Sequence, residues 1–377
     1  MSVCAIICEY NPLHRGHLWQ IRQAKQRFDA VVCVMSGSFV QRGEPAIMDK
    51  FTRSRWALSA GADAVIELPA VYSLQSAEGF AAGGVRMAAA LGATHLCFGS
   101  ETEDISFLTA LAHLCLNEPD DVKQALASAL SKGQSYPAAF QSAVQQSFPQ
   151  YPDAAFLPNA LLGLEYLKAI ERYRLPLVPV TLPRRLPVSS SACRKALQQG
   201  QILEDVPAYV ACSLKQGPLV TPESLSPMLL YRLRMMSRAE FHALPFVSEG
   251  VENRLAQAAH TAVSLESLLS ECRTKRYPLS RIKRLLCCAL LHITQEDVRA
   301  ANEQGPCYLH LLALNPQNAV MRSAVKAASL PVCTGGADLS SFPSFAMDAR
   351  ATDLHALCCG RAAGLDYTVP VCTSVSP

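Results

Sequence analysis

The chain has 377 residues, enough for a large α/β domain and a second domain, since single cores stop growing near ~250–300 residues. Half of its residues are hydrophobic and 17% are charged, and apolar runs such as Val31–Met35 fall far short of the ~20 residues that span a bilayer, so no membrane span is expected. A formal charge of +3 does not by itself mark a nucleic-acid-binding protein; a basic partner surface has to come from local clustering.

The first third alternates short apolar, β-rich runs with longer amphipathic segments, the pattern of a parallel sheet wrapped by helices. Strands are predicted at Val3–Cys8, Ala30–Met35, Ala64–Leu68 and Thr94–Gly99, with helices at Gly16–Phe28, Lys50–Ala60 and Ser76–Leu91 between them. The strands are apolar on both faces, which predicts a Rossmann-like, doubly wound parallel sheet covered on both sides. An Ala-rich helical insertion follows at about 105–147, then a helix at Asn159–Arg172 and a strand at Leu175–Leu182. Ser189-Ser190-Ser191 caps a helix that begins near Ala192. The catalytic domain is expected to cover 1–205, and 206–377 to form a mainly α-helical domain with helices at Pro227–Arg238, Glu252–Cys272 and Ser280–Leu291.

The amino terminus runs Met-Ser-Val-Cys-Ala-Ile-Ile-Cys into Glu9, with neither a basic n-region nor a small-residue cleavage site, so a cytoplasmic location is expected. Fifteen cysteines is an odd count, and many lie inside apolar runs, where they read as small buried hydrophobes. Cys287-Cys288 and Cys358-Cys359 lack the spacing with which two thiolates share a zinc ion, so neither a metal site nor a disulfide is assigned.

The chemistry concentrates directly after the first strand, in Asn11-Pro12-Leu13-His14-Arg15-Gly16-His17-Leu18. This is a strand's carboxyl end turning into a helix, where ligands bind in α/β sheets and free N–H groups meet phosphate. Gly16 admits a close backbone approach, and His14 and His17, three apart, present imidazole donors to a reacting phosphate as the catalytic pair. The Ser-rich turn carries Ser191 and Arg194 as further phosphate contacts, though a helix cap explains those serines equally well. After the second strand, the loop Ser36–Lys50 holds Gln41, Arg42, Glu44, Asp49 and Lys50, a polar loop at a strand's carboxyl end that can form a pocket, with Arg42 suited to grip a carboxylate; a solvated loop is the plain alternative. Farther on, Arg232, Arg234 and Arg238 cluster, and Arg273-Thr274-Lys275-Arg276-Tyr277-Pro278-Leu279-Ser280-Arg281-Ile282-Lys283-Arg284 places six basic residues and one aromatic in twelve positions. Arg273, Lys275, Arg276, Lys283 and Arg284 are the RNA candidates, with Tyr277 available for base stacking; a solvated helix face is the plain alternative.

The His-x-Gly-His spacing resembles the signature of the nucleotidyltransferase superfamily that includes class I aminoacyl-tRNA synthetases and pantothenate synthetase. With Glu9-Tyr10-Asn11-Pro12, Val34 through Ala46, Ile66-Glu67-Leu68-Pro69, Phe98-Gly99-Ser100-Glu101 and Pro158 through Gly163, the chain is similar to the bacterial tRNA(Met) cytidine acetate ligase family, densely over about the first 200 residues. It departs at Leu13 and Arg15, where the family usually shows Phe and Asn, and at Ser-Ser-Ser in place of Ser-Ala-Thr; Arg15 is expected to add a charge beside the phosphates. The resemblance implies an enzyme that joins acetate to ATP as acetyl-adenylate and acetylates N4 of the wobble cytidine of elongator tRNA(Met), with Gln41 and Arg42 the candidates for its acetate or cytidine pocket. It implies ATP, accompanied by Mg2+, held by Ile7, Cys8, Glu9, Tyr10, Asn11, Pro12, Leu13, His14, Arg15, Gly16, His17, Leu18, Trp19, Gln20, Gly99, Asn159 and Arg184, with Arg185 an alternative to Arg184. No protein partner is implied. Two other readings stand beside it: an adenylyl- or cytidylyltransferase acting on a small metabolite, which leaves the basic run unexplained, and a non-catalytic RNA-binding protein, which leaves both histidines unexplained.

Overall fold

The computed structural model describes every residue except 103, 135, 150–152, 184–187, 202, 249, 275–276 and 375–377. Nine strands occur among the described residues: β1 (Val3–Cys8), β2 (Ala30–Ser36), β3 (Phe39–Val40), β4 (Glu44–Pro45), β5 (Ala64–Leu68), β6 (His95–Ser100), β7 (Val178–Pro183), β8 (Leu309–Leu314) and β9 (Val332–Cys333). Seven of them form one sheet in the order β7-β6-β1-β2-β5-β8-β9, while β3 and β4 make a separate hairpin. All pairings in the sheet are parallel except β5 with β8. The Rossmann-like α/β class read from the strand pattern is the one observed.

Strand alternation divides the core in two. Val3, Ala5, Val32, Val34 and Ile66 face one side of the sheet, and Cys4, Ile6, Cys8, Val31, Cys33, Met35 and Val65 face the other. Each side is covered by helices, which is why apolar residues point to both faces of these strands, with Ser36 and Glu67 the polar exceptions near their carboxyl ends. A further cluster, including Leu229, Leu233, Leu255, Leu268, Ile282 and Leu285, holds the helices of 226–291 together. The helix Leu279–Leu291 joins it to the sheet, because its Cys287, Cys288 and Leu291 lie in the sheet's core instead.

Three predicted segments differ. Strand β7 starts at Val178, since Arg174 takes left-handed backbone (φ 52°) and Pro176 follows it before the chain extends. The stretch Glu252–Cys272 is two helices, Val251–Thr261 and Leu265–Cys272, broken where Ser264 caps the second by accepting from the Ser267 N–H. Likewise the helix from Ser226 stops at Met235, and Ser237 with Glu240 forms a capping box for the next, Arg238–Ala243. The segment 206–377, read as mainly helical, also contributes β8 and β9 to the seven-stranded sheet.

Candidate active site

The turn after β1 is fixed from beneath. Tyr10 adopts left-handed backbone (φ 47°), its ring is fully buried, and its hydroxyl lies 3.2 Å from Cys33 Sγ. The Asn11–Pro12 bond is cis, and Asn11 Oδ1 accepts the Ile47 N–H at 2.7 Å. Arg53, also fully buried, donates to the carbonyls of Glu9 (2.7 Å), Ser36 (3.0 Å), Met48 (3.0 Å) and Gly37, tying the ends of β1 and β2 to the loop beyond them.

His14 is the N-cap of the helix Arg15–Arg27. Its Nδ1 accepts from the N–H groups of Gly16 (3.1 Å) and His17 (3.4 Å), and His17 Nδ1 accepts from the His14 N–H (3.3 Å). The two rings stack with centroids 3.7 Å apart and planes 18° from parallel. With each Nδ1 serving as acceptor, a neutral imidazole carries its proton on Nε2, so both rings are set as donors through that nitrogen. Gly16 is required here: a Cβ would lie 2.9 Å from His14 Cε1.

Opposite stands the Ser-rich turn, whose three serines have three roles. Ser189 caps the helix Ser190–Gln198, Ser190 Oγ donates to the Pro12 carbonyl at 3.0 Å, and Ser191 Oγ accepts from Arg194 Nη2 at 3.4 Å. Arg194 Nη1 donates to the Asn11 carbonyl at 2.6 Å, so the turn and the His-bearing segment are directly joined. Glu9 Oε1 accepts the Gln41 N–H at 2.7 Å; burial pushes the Glu9 carboxyl up, opposed by that hydrogen bond and by Arg194, Arg53 and Arg42. On the remaining side, Glu101 takes the Asn159 amide (2.5 Å) and the Ala160 N–H (2.8 Å), which caps the helix Pro158–Arg172 from outside and fixes the Asn159 side chain.

The His-bearing turn, the Ser-rich turn with Arg194, Glu9 and Asn159 line one cavity of about 690 Å³, a size typical of small-molecule sites. Of the residues anticipated from the sequence, Ile7, Cys8, Glu9, Tyr10, Asn11, His14, Gly16, His17, Trp19, Gln20, Gly99, Asn159, Ser191, Arg194, Gln41 and Arg42 line it. Four expected nucleotide contacts do not. Leu13 is fully buried in the core and Leu18 packs against the same core; Pro12 is buried and presents its carbonyl to Ser190. Arg15 turns outward and donates to the Glu204 carbonyl at 2.9 Å, so it puts no charge beside the cavity. Arg184 lies outside the described residues, as does its alternative Arg185. The sequence reading missed the apolar lining, notably Phe98, Leu161, Leu162 and Tyr166; aromatic and leucine side chains in helices and strands read as core.

The loop Ser36–Lys50 splits by role. Asp49 caps the helix Lys50–Ala60, and Lys50 is fully buried, with Nζ 2.6 Å from Glu67 Oε2 and 2.7 Å from Asp366 Oδ1, so neither forms a substrate pocket. His310 Nδ1 lies 2.6 Å from the same Glu67 oxygen. Glu67, His310 and Asp366 are the one cluster of three possible metal ligands among the described residues, but the Lys50 ammonium already supplies the cation there.

The basic run is largely turned inward. Tyr277 is buried and its hydroxyl donates to the Ser248 carbonyl, so it cannot stack on a base. Arg281 lies over the Tyr277 ring and donates to the Phe246 carbonyl, Lys283 pairs with Glu44 at 2.5 Å, and Arg284 Nη1 is 3.5 Å from the Gln41 carbonyl. Arg273 is exposed; Lys275 and Arg276 lie outside the described residues. Arg232 pairs with Glu240 and Arg234 donates to the Ala259 and Ala262 carbonyls, leaving Arg238 exposed. Among the described residues no helix is long and apolar enough to cross a membrane.

Residues 1–365 match the family described as HIGH Nucleotidyl Transferase. The chain is 35% identical to the tRNA(Met) cytidine acetate ligase of Syntrophomonas wolfei over 98% of both chains, and 35% identical to that of Acetivibrio thermocellus over 98% of this chain and 99% of the relative. Its structure matches the crystal structure of Thermotoga maritima TmcAL bound with alpha-thio ATP at a TM-score of 0.91 and 28% identity, covering 99% of each chain. By family match and by relatives aligned along nearly their whole length, the chain belongs to the tRNA(Met) cytidine acetate ligase family of HIGH nucleotidyl transferases.

Proposed function

We propose that this ligase activates acetate with ATP as acetyl-adenylate and then acetylates N4 of the wobble cytidine in elongator tRNA(Met). The observation that carries the reading is the stacked His14–His17 pair, each Nδ1 held by backbone N–H groups, at a helix amino terminus that lines the cavity with Arg194. The names of the relatives and the ATP analogue in the Thermotoga maritima structure support it.

In the first step an acetate oxygen attacks the α-phosphorus, the bond to the β-phosphate bridge breaks, and pyrophosphate leaves. Charge grows on the α-phosphate oxygens, which the Nε2–H donors of His14 and His17 stabilise, while Arg194 meets the phosphates; Arg42 is the candidate grip on the acetate carboxylate. Magnesium would arrive on the phosphates as part of the substrate, with Glu9 the carboxylate nearest at hand in the lining. In the second step the cytidine N4 attacks the acyl carbon, the bond to AMP breaks, and N4 loses a proton. Arg184 remains the further nucleotide contact proposed by resemblance. Exposed Arg273 is the strongest RNA contact of the run, joined by Lys275 and Arg276; Lys283 and Arg284 can reach RNA only by leaving their present partners. A tRNA substrate fits a cytoplasmic location.

The test is to supply labelled acetate, ATP and bulk bacterial tRNA, and in parallel labelled acetyl-coenzyme A. Label from acetate is expected in N4-acetylcytidine, with AMP and pyrophosphate released and acetyl-coenzyme A ignored. Label taken only from acetyl-coenzyme A would overturn the adenylate route.

A further inference from the structure

The β3–β4 hairpin stands between the cavity and the helix Leu279–Leu291, and its one carboxylate, Glu44, lies between a lysine of that helix and the cavity-lining Arg194. Glu44 Oε1 accepts from Lys283 Nζ at 2.5 Å, and Glu44 Oε2 lies 3.5 Å from Arg194 Nη2. The three side chains are 15–22% exposed, so water screens this chain of charges less than it screens a surface pair. The hairpin tip is seated independently of those charges. Gly43 has φ +73°, and a Cβ there would lie 2.3 Å from the Arg284 backbone nitrogen and 2.5 Å from the Lys283 carbonyl carbon. Backbone therefore meets backbone, and the next residue, Glu44, has little freedom. On the cavity side, Gln41 N donates to Glu9 and Arg42 lines the wall.

We propose that Glu44 is a positioning residue: anchored by Lys283, it holds the Arg194 guanidinium in the cavity wall at the angle the phosphates require. Arg194 has three acceptors, the Asn11 carbonyl on Nη1 at 2.6 Å and, on Nη2, Ser191 Oγ at 3.4 Å and Glu44 at 3.5 Å; Glu44 alone of the three carries charge, so it is the stronger hold on the second arm of the planar fork. The proposal rests on the reading that Arg194 meets phosphate. It makes an unusual demand on kinetics. Replacing Glu44 by Gln removes a negative charge from the phosphate side, which favours ATP binding, and loosens Arg194, which slows reaction. A residue needed only for folding would not divide the two effects.

The full chain is compared as wild type, Glu44→Gln, Arg194→Ala, the double variant and Lys283→Met, reading acetate-dependent pyrophosphate release and ATP affinity by titration. Glu44→Gln is expected to slow pyrophosphate release by about tenfold, an effect of the size misplaced groups produce, with ATP bound as tightly as in the wild type or more so. In the Arg194→Ala background the same change should slow nothing further, and Lys283→Met should fall between wild type and Glu44→Gln. Equal slowing in both backgrounds, or a wild-type rate in Glu44→Gln, overturns the proposal. If the wild type released no pyrophosphate, the adenylation reading would fail, and ATP affinity would still decide this one. Coupling of about threefold or more between positions 44 and 194 is expected in the four dissociation constants, and strict additivity would refute it.

Discussion

Replacing Arg53 by Met tests the idea that the catalytic turn is held from below by a single buried cation. The guanidinium satisfies four backbone carbonyls, those of Glu9, Ser36, Gly37 and Met48. Methionine fills most of the stem's volume and supplies no donor. Each carbonyl left without a partner costs ~1 kcal/mol or more, so the variant should lose about 4 kcal/mol. That is the low end of the range, because burial already draws the guanidinium down to about 10 and so opposes its charged form. An unfolding entropy of ~2.1 cal/mol/K per residue is about 0.8 kcal/mol/K for 377 residues, and the melting point should fall by about 5 °C. Arg53→Lys keeps the charge but has a point ammonium where a fork is needed, and should recover less than half of that loss. Thermal unfolding followed by circular dichroism checks both. A methionine variant melting within about 1 °C of the wild type would refute the clamp.

His14→Ala and His17→Ala should each lower acetate-dependent pyrophosphate release by about a hundredfold; near wild-type turnover in either would remove the catalytic assignment. His14→Ala should also lower the melting point, since Nδ1 caps the helix, by the ~1 kcal/mol typical of a lost cap. Asp348 predicts a pH dependence: burial, then the Glu67 charge, pushes its carboxyl from 3.8 up to about 7. An acid with a raised folded-state value contributes stability that is whole below about pH 4, declines as pH rises, and is gone once pH passes about 7. Asp348→Asn, whose Oδ1 still accepts the Ala70 N–H while its amide N–H can donate to the Tyr308 hydroxyl oxygen, should flatten melting point against pH in that window; an unchanged slope would show that other groups set it.

What was legible in the sequence was whatever depends on short-range pattern. Strands buried on both faces announce themselves as runs with apolar residues on both faces, so β1 and β5 were placed to the residue, the latter despite Glu67 within it. A glycine and two histidines in a strand-to-helix turn give a local chemical signal, and the structure brings both histidines to the cavity. Partners distant in sequence leave no such trace. Nothing near Arg15 says that its guanidinium will find the Glu204 carbonyl, and nothing near Lys283 says that its charge will be taken by Glu44. The basic run looked like a solvent face because charge density was counted without its partners, and Tyr277 looked available because burial cannot be read from one aromatic among arginines. Strand β8 was missed for another reason: Leu-His-Leu-Leu-Ala-Leu is too short to show a period, and leucine and alanine favour helices.

That missed strand decides how the two halves of the chain relate. With β8 removed, the edge of the fully buried β5 that faces away from β2 would be left with unpaired N–H and C=O groups. The charges beneath it depend on the same segment. Lys50 is held by Glu67 from the first half and Asp366 from the second, and Glu67 also holds His310 on β8. Asp366 and His310 thus complete the surroundings of the buried Glu67–Lys50 pair from the second half of the chain. The loop that these charges support carries Gln41 and Arg42 into the cavity, and Ala46 within it is bound by His355 at 2.7 Å. The sheet thus draws strands from both sides of residue 205. The carboxy-terminal segment completes the sheet, neutralises the charges under the active-site loop, and through Lys283 reaches the wall of the cavity.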